Sequence, residues 1–222
     1  MEELIKKYLQ KNVSLIGSRP VCGKMPFMSK LILELLNKKR NVLLFGLEGT
    51  EVWYTKHLLH QITKLDINAI QAYLSPCLET SKKYRNSIDK TQLLEAIEFL
   101  QQSNLILKDY QHLNPDRKNL YNDFDLICNM IKDYNDKIDI VIVDKLEDIL
   151  KDTNISLEKT LKQLKNIALE KNIKILLFTN LSQEFETTKK MELSNFKEYH
   201  EIKKFIDTIT IILEEEYKLL KQ

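Results

Sequence analysis

Short apolar runs punctuate this chain, and helical patterns separate most of them. The runs are VSLI (13–16), VLLF (42–45), LIL (105–107), IVIV (140–143), ILLF (175–178) and ITIIL (209–213). The last four are continuous rather than alternating, as strands are when both faces of a sheet are covered. KMPFMSKLILELLNKK spaces Phe27, Met28, Leu31, Ile32, Leu35 and Leu36 as a helix does. SLEKTLKQLKNIALEKN does so with Leu157, Leu161, Leu164 and Ala168, behind Ser156 as N-cap. Strand, helix, strand in succession predicts an α/β fold, a mostly parallel central sheet with crossover helices on both faces. The stretch from Pro76 to Asp123 is mostly polar and helical in pattern, without a finer assignment.

In such a sheet, ligands bind beyond the carboxyl ends of the strands. The chain has only 4 glycines, Gly17, Gly23, Gly46 and Gly49, well below the usual ~7%. All fall just after the first or second apolar run, where backbone takes positive φ or approaches a ligand. The strands finishing at Asp144 and Thr179 end at the same edge, so four segments are expected to converge there.

VSLIGSRPVCGKMPF (13–27) has most of the grammar of a phosphate-cradling loop. Such a loop needs exposed N–H groups, a helix N-terminus and a lysine that reaches the terminal phosphates. Against G-x-x-x-x-G-K-[ST], Gly23 and Lys24 match, Ser18 replaces the first glycine, and Met25 replaces the hydroxyl that ligates Mg²⁺. Ser18 is a mild change beside Gly17, but a thioether cannot replace that hydroxyl. Arg19, Pro20, Val21 and Cys22 complete the loop. An ordinary strand-turn-helix carrying a lysine is the plainer alternative. IDIVIVDKLED ends a buried strand in Asp144, which can hold the water shell of Mg²⁺ or merely cap the next turn. VLLFGLEGTE sets Glu48 just past a strand, where it polarises a water for attack on a γ-phosphate or caps a helix starting near Thr50.

Composition narrows the remaining classes. A 222-residue chain that is 43% hydrophobic can bury a large core. No linker-like, repeated or low-complexity stretch divides it, so a single domain over 1–222 is expected. The 34 basic and 32 acidic residues give +2, so any nucleic-acid contact needs a local patch. MEELIKKYLQ is not a secretory signal, and no apolar run approaches the ~18 residues of a membrane span, so a cytoplasmic protein is expected. Cys22, Cys77 and Cys128 are odd in number, without a C-x-x-C pair, and imply neither a disulfide framework nor a zinc site. His57 and His60 could place two metal ligands on one helix face, but no third ligand is near, and ordinary packing is the expected reading.

The order of these motifs resembles the RecA-like motor domain of DnaB-type replicative helicases. SLIGSRPVCGKMPF is similar to that family's Walker A segment, A-R-P-S-M-G-K-T-A-F, with Arg19, Pro20, Gly23, Lys24 and Phe27 matching. VLLFGLEGTEVWYTKHLL resembles the strand and catalytic glutamate of F-S-L-E-M, on Glu48. IDIVIVDKLEDIL resembles the Walker B strand L-I-V-I-D-Y-L-Q-L, on Asp144. LKQLKNIALEKNIKILLFTNLSQEFE is similar to the next helix and strand, with Asn180 where a phosphate-sensing Gln is usual. NFKEYHEIKKFIDTITIILEEEY is similar to the segment ending in the last strand. The matches run in order from about residue 13 to 217.

The resemblance implies a P-loop fold binding ATP and Mg²⁺, with Lys24 on phosphates, Asp144 on the metal, and Glu48 and Asn180 in catalysis. It also implies single-stranded DNA and a ring of subunits as partners. The DNA-facing loops would be roughly 145–156 and 183–200, with Lys189, Lys190 and Lys197 as candidates. The chain departs from the family at Met25, at Asn180, at Glu214 where an arginine would stand, and at YHEIKK, which has lost its glycine. No K-x-R segment supplying an arginine finger follows. Residues 1–12 read as an N-terminal helix or linker remnant, without an N-terminal collar domain. Such a finger is worth ~10³ to 10⁵ in rate, so the expectation is nucleotide binding with weak or no hydrolysis. The alternative is a pseudo-ATPase scaffold that binds partner proteins. A small-molecule kinase would need an arginine-rich lid, and none is seen.

Overall fold

The computed structural model describes residues 1–19, 23–75, 89–113, 124–134, 137–150, 156–180, 203–213 and 216–219. Its strands are β1 (Val13–Ser18), β2 (Val42–Gly46), β3 (Leu105–Asp109), β4 (Ile140–Asp144), β5 (Lys174–Asn180), β6 (Thr208–Leu213) and β7 (Glu216–Leu219). They form one 7-stranded sheet in the order β3-β2-β4-β5-β1-β6-β7. Every pairing from β3 to β6 is parallel, and β7 turns back antiparallel on β6. Each of the six apolar runs lies in a strand. β7 has no counterpart among them, because a short polar stretch on an edge carries no apolar signal.

The helices are α1 (Glu2–Leu9), α2 (Lys24–Asn37), α3 (Glu51–Thr63), α4 (Ile67–Leu74), α5 (Lys90–Gln102), α6 (Tyr110–Leu113), α7 (Phe124–Asp133), α8 (Leu146–Leu150) and α9 (Leu157–Lys171). They cover both faces, which the period-2 alternation of the strands sorts into two cores. Val13, Leu15, Leu43, Phe45, Val141, Val143, Ile175 and Leu177 pack with α7 and α9. Ile16, Val42, Leu44, Ile140, Ile142, Leu176 and Phe178 pack with α1, α2 and α3. A smaller cluster of Leu59, Ala69, Ile70, Leu93 and Ala96 joins α3, α4 and α5. None of the described helices is long and apolar enough to cross a membrane.

Local chemistry sets the helix ends. Ser156 accepts the Lys159 N–H at the start of α9, and Asn172 closes that helix in the left-handed region at φ 52. Residues 1–12 are part of the fold. Leu4, Ile5 and Tyr8 are buried against α2 and the sheet, and the Tyr8 hydroxyl donates to Thr210 Oγ1 at 2.9 Å. Asp207 accepts the N–H groups of Asn12 (2.8 Å) and Val13 (3.0 Å) and pairs with Lys165. The carboxylate is thereby held below its ordinary pKa, the lysine and the two N–H groups outweighing burial.

The histidines of α3 are structural. The His57 ring packs edge-on to Trp53, centroids 4.8 Å apart, and His60 donates from Nδ1 to the Leu65 carbonyl at 2.7 Å. Burial, then the charges of Lys56 and His60, lower the His57 pKa from 6.5 to about 4. Between those values the unfolded chain binds the extra proton, so this stability is complete above pH 6.5 and is lost as pH falls towards 4. Allowing for partial exposure, about 1 kcal/mol is at stake. Thermal melts from pH 7.5 to 4.5 should show this loss, and His57→Phe should flatten it.

Candidate functional site

The sheet order brings three strand ends to one place. β4 lies beside β2, with Gly46 level with Asp144. β5 separates β4 from β1, the strand that leads into the loop. Gly23, ahead of α2, adopts φ 75 and ψ 13, left-handed geometry that glycine takes without strain. Lys24 begins α2 from that bend. Its Nζ donates to Asp144 Oδ1 at 2.7 Å and also pairs with Glu48 Oε2. Glu48 Oε1 lies 3.3 Å from Nζ of Lys145, the residue that follows Asp144.

Asp144 is fully buried. Its second oxygen, Oδ2, accepts from the Tyr54 hydroxyl at 2.9 Å. Its carbonyl accepts the N–H groups of Leu47 (2.6 Å) and Glu48 (3.3 Å), which fixes the bend after β2 against the end of β4. Burial lifts the Asp144 pKa above the ordinary carboxylate value, with Lys24 opposing. Burial also works against the Lys24 charge, but Asp144 and Glu48 outweigh it and the ammonium pKa is raised. At Glu48 the two lysines outweigh burial and the pKa is lowered. Burial and the neighbouring Asp144 push the Tyr54 phenol far up, so it stays a donor.

The plainer alternatives for both acids give way to this geometry. Thr50 Oγ1, not Glu48, caps α3 by accepting the Trp53 N–H. Asp144 caps no surface turn, being buried between Lys24 and Tyr54. Of the two conditions expected of the glycines, positive φ is met among the described residues by Gly23 and not by Gly46 or Gly49. Aromatic rings explain them: a Cβ on Gly46 would lie 2.1 Å from the Tyr54 ring, and one on Gly49 2.7 Å from Trp53.

Other residues of the edge are placed as follows. Ser18 is buried at the end of β1, level with Asn180, and its Oγ has no hydrogen-bond partner among the described residues. The Asn180 N–H donates to Glu147 Oε1 at 2.6 Å, and the Thr179 hydroxyl donates to the same oxygen at 2.7 Å. Asn180 thus shares the edge while being tied to α8 rather than to the lysine cluster. Arg19 follows β1 and is half-buried. Met25 packs against the core that holds Phe27 and Met28. Of the DNA-facing loops expected at roughly 145–156 and 183–200, residues 146–150 form α8 and the Lys145 ammonium turns inward to Glu48, while 151–155 and 183–200 lie outside the described residues. Pro20, Val21, Cys22, Lys189, Lys190, Lys197 and Glu214 lie outside the described residues. Beside Glu48, a pocket of 260 Å³ is lined by Leu47, Gly49, Thr50, Asp109 and Gln111. Asp109 is buried there, accepting the N–H groups of Glu51 (2.8 Å) and Gln111 (3.0 Å).

These donors do not suit a magnesium ion. Met25 offers a thioether packed on the core instead of a hydroxyl, and the two Asp144 oxygens are taken by an ammonium and a phenol. Among the described residues no group of three or more His, Cys, Asp or Glu could hold a metal ion.

Sequence reasoning missed Tyr54, Lys145 and Glu147. A glycine closing a strand, with a tyrosine in the first turn of the next helix, was the available signal for Tyr54. Lys145 carried none, because lysine abounds in this chain.

Solved structures give the fold a context. A solved ATPase domain superposes with TM-score 0.68 at 20% identity, covering 90% of this chain and 69% of that one. A DnaB-like replicative helicase, solved to show its interactions with primase, superposes with TM-score 0.69 at 21% identity, covering 90% of this chain and 46% of that one. The flagellar accessory protein FlaH from Methanocaldococcus jannaschii superposes with TM-score 0.54 at 13% identity, covering 93% and 75%. At these identities the likeness is one of fold, a RecA-like P-loop α/β architecture. No curated protein sequence matches the chain. The family model of the DnaB-like helicase C terminal domain matches residues 1–222, and the chain belongs to that family.

Proposed function

We propose that this domain binds a nucleoside triphosphate, ATP by family, at the sequence Ser18 to Met25 and hydrolyses it slowly or not at all, in a setting of DNA replication or repair. The observation that carries this is Lys24. It stands at the N-terminus of a 14-residue helix behind a left-handed glycine, with its ammonium on acids from two other strand ends. A helix N-terminus with free N–H groups and an adjacent ammonium suits a chain of phosphates. Lys24 would exchange Asp144 and Glu48 for phosphate oxygens.

Weak turnover is proposed from Met25, which packs a thioether on the core where the metal-binding hydroxyl would stand, so the phosphates lack the positioning a metal gives. Calorimetric titration with ATP should show saturable binding that Lys24→Ala abolishes. Phosphate release should stay near background, and Glu48→Gln should leave it unchanged. Rapid turnover that Glu48→Gln removes would count against the weak-hydrolysis reading. Absence of binding in the wild type would favour a scaffold that binds partner proteins. Single-stranded DNA and a ring of related subunits are the partners proposed from family membership, with Lys189, Lys190 and Lys197 as proposed DNA contacts.

A further inference from the structure

Two ammonium groups face two carboxyl groups in this cluster. Lys24 reaches Asp144 and Glu48 from the helix, and Lys145 reaches the other oxygen of Glu48 from the end of β4. Both lysine side chains are largely shielded, at 12% and 17% exposure, so their charges act in a medium less polarisable than water. Two ammonium groups thus stand where a divalent ion would bring its positive charge, balanced while no anion is bound by the carboxylates of Asp144 and Glu48. The groups that would receive that ion are poorly suited to it: Met25 lies on the core in place of a hydroxyl, and one Asp144 oxygen is held by the Tyr54 hydroxyl.

We infer that this site takes a polyphosphate without a divalent cation, with Lys145 supplying the second positive charge. The inference rests on the nucleotide reading above and specifies its ionic requirement. Lys145 is a binding residue here, because its ammonium and that of Lys24 lie on opposite oxygens of one carboxylate. An anion that draws Lys24 away from Glu48 meets the second ammonium at the same place. A salt bridge to Glu48 is what the lysine does while no anion competes.

The test is a set of calorimetric titrations with ATP, in EDTA and in excess Mg²⁺, on the wild type, Lys145→Ala and Lys145→Arg. The wild type should bind with an affinity that changes less than about twofold between the two buffers. Lys145→Ala should weaken binding in EDTA about tenfold, as loss of one charge-assisted contact does. Lys145→Arg, which keeps the charge, should recover most of it. Thermal melts of the three proteins show whether a change reflects unfolding, and weakening without a shift in Tm supports the inference. Wild-type binding that disappears in EDTA overturns it while leaving nucleotide binding intact. So does a Lys145→Ala protein that binds in EDTA as the wild type does. Absence of ATP binding in both buffers overturns the nucleotide reading, and the inference with it.

Discussion

Lys24→Ala is expected to destabilise the domain by about 3 kcal/mol at neutral pH, because it leaves a buried carboxyl without its counter-ion. Asp144 is the residue at risk. It is fully buried, and Tyr54 satisfies only one of its oxygens. Burial already lifts its pKa, and losing the ammonium that opposes the rise lifts it further. The folded variant then holds a proton that the unfolded chain releases near pH 4. Its stability is therefore retained in acid and declines as pH rises through the raised value. Urea unfolding at pH 5 and pH 8 should find the variant nearer to the wild type at the lower pH. Adding Asp144→Asn should recover part of the loss by removing the charge while keeping a partner for Tyr54. A Lys24→Ala protein as stable as the wild type at pH 8 would show that the ion pair carries little.

Gly46→Ala is expected to cost about 3 kcal/mol or to prevent folding, since the new methyl would sit inside the Tyr54 ring at 2.1 Å. The neighbour is a rigid ring, fully buried, whose hydroxyl is tied to Asp144. Moving it costs packing against α2 and also a hydrogen bond to the one carboxyl that most needs it. A double-mutant cycle isolates the cause. In a Tyr54→Ala background, itself destabilised, Gly46→Ala should add less than about 1 kcal/mol, because residues in contact are not additive. Equal costs in both backgrounds would place the clash elsewhere. Tyr54→Phe alone, which keeps the ring, should cost about 1 to 2 kcal/mol.

How much of this was legible beforehand differs from residue to residue. IVIV and ILLF announced β4 and β5 because strands buried on both faces have nothing but apolar side chains to show. Ser156 announced the start of α9 because a hydroxyl just ahead of a helical pattern is placed to take an N–H of the first turn. The meeting of residues 24, 48 and 144 was legible because a parallel sheet sends all its carboxyl ends one way. Gly46 read as a glycine for positive φ or for approach to a ligand and not for the Tyr54 ring, since a glycine needed for close packing spells the same as one needed for either. Lys145 was invisible because a lysine facing a carboxylate and one facing water are written with the same letter. α1 read equally well as a linker, since its three buried residues gain meaning only once Thr210 and α2 are in place.

The position of β1 has a consequence for biosynthesis. This early strand finds its neighbours only in β5 and β6, and Asp207 must arrive before the N–H groups of Asn12 and Val13 are matched. At 5 to 20 residues per second the ribosome delivers β6 roughly 10 to 40 s after β1. Until β5 emerges, late in that interval, the strand that leads towards Lys24 has no partner on either flank. The corner where Lys24, Glu48 and Asp144 meet therefore lacks the flanks of its first strand until β5 and β6 have been made, and factors that shield newborn chains have a long task over β1.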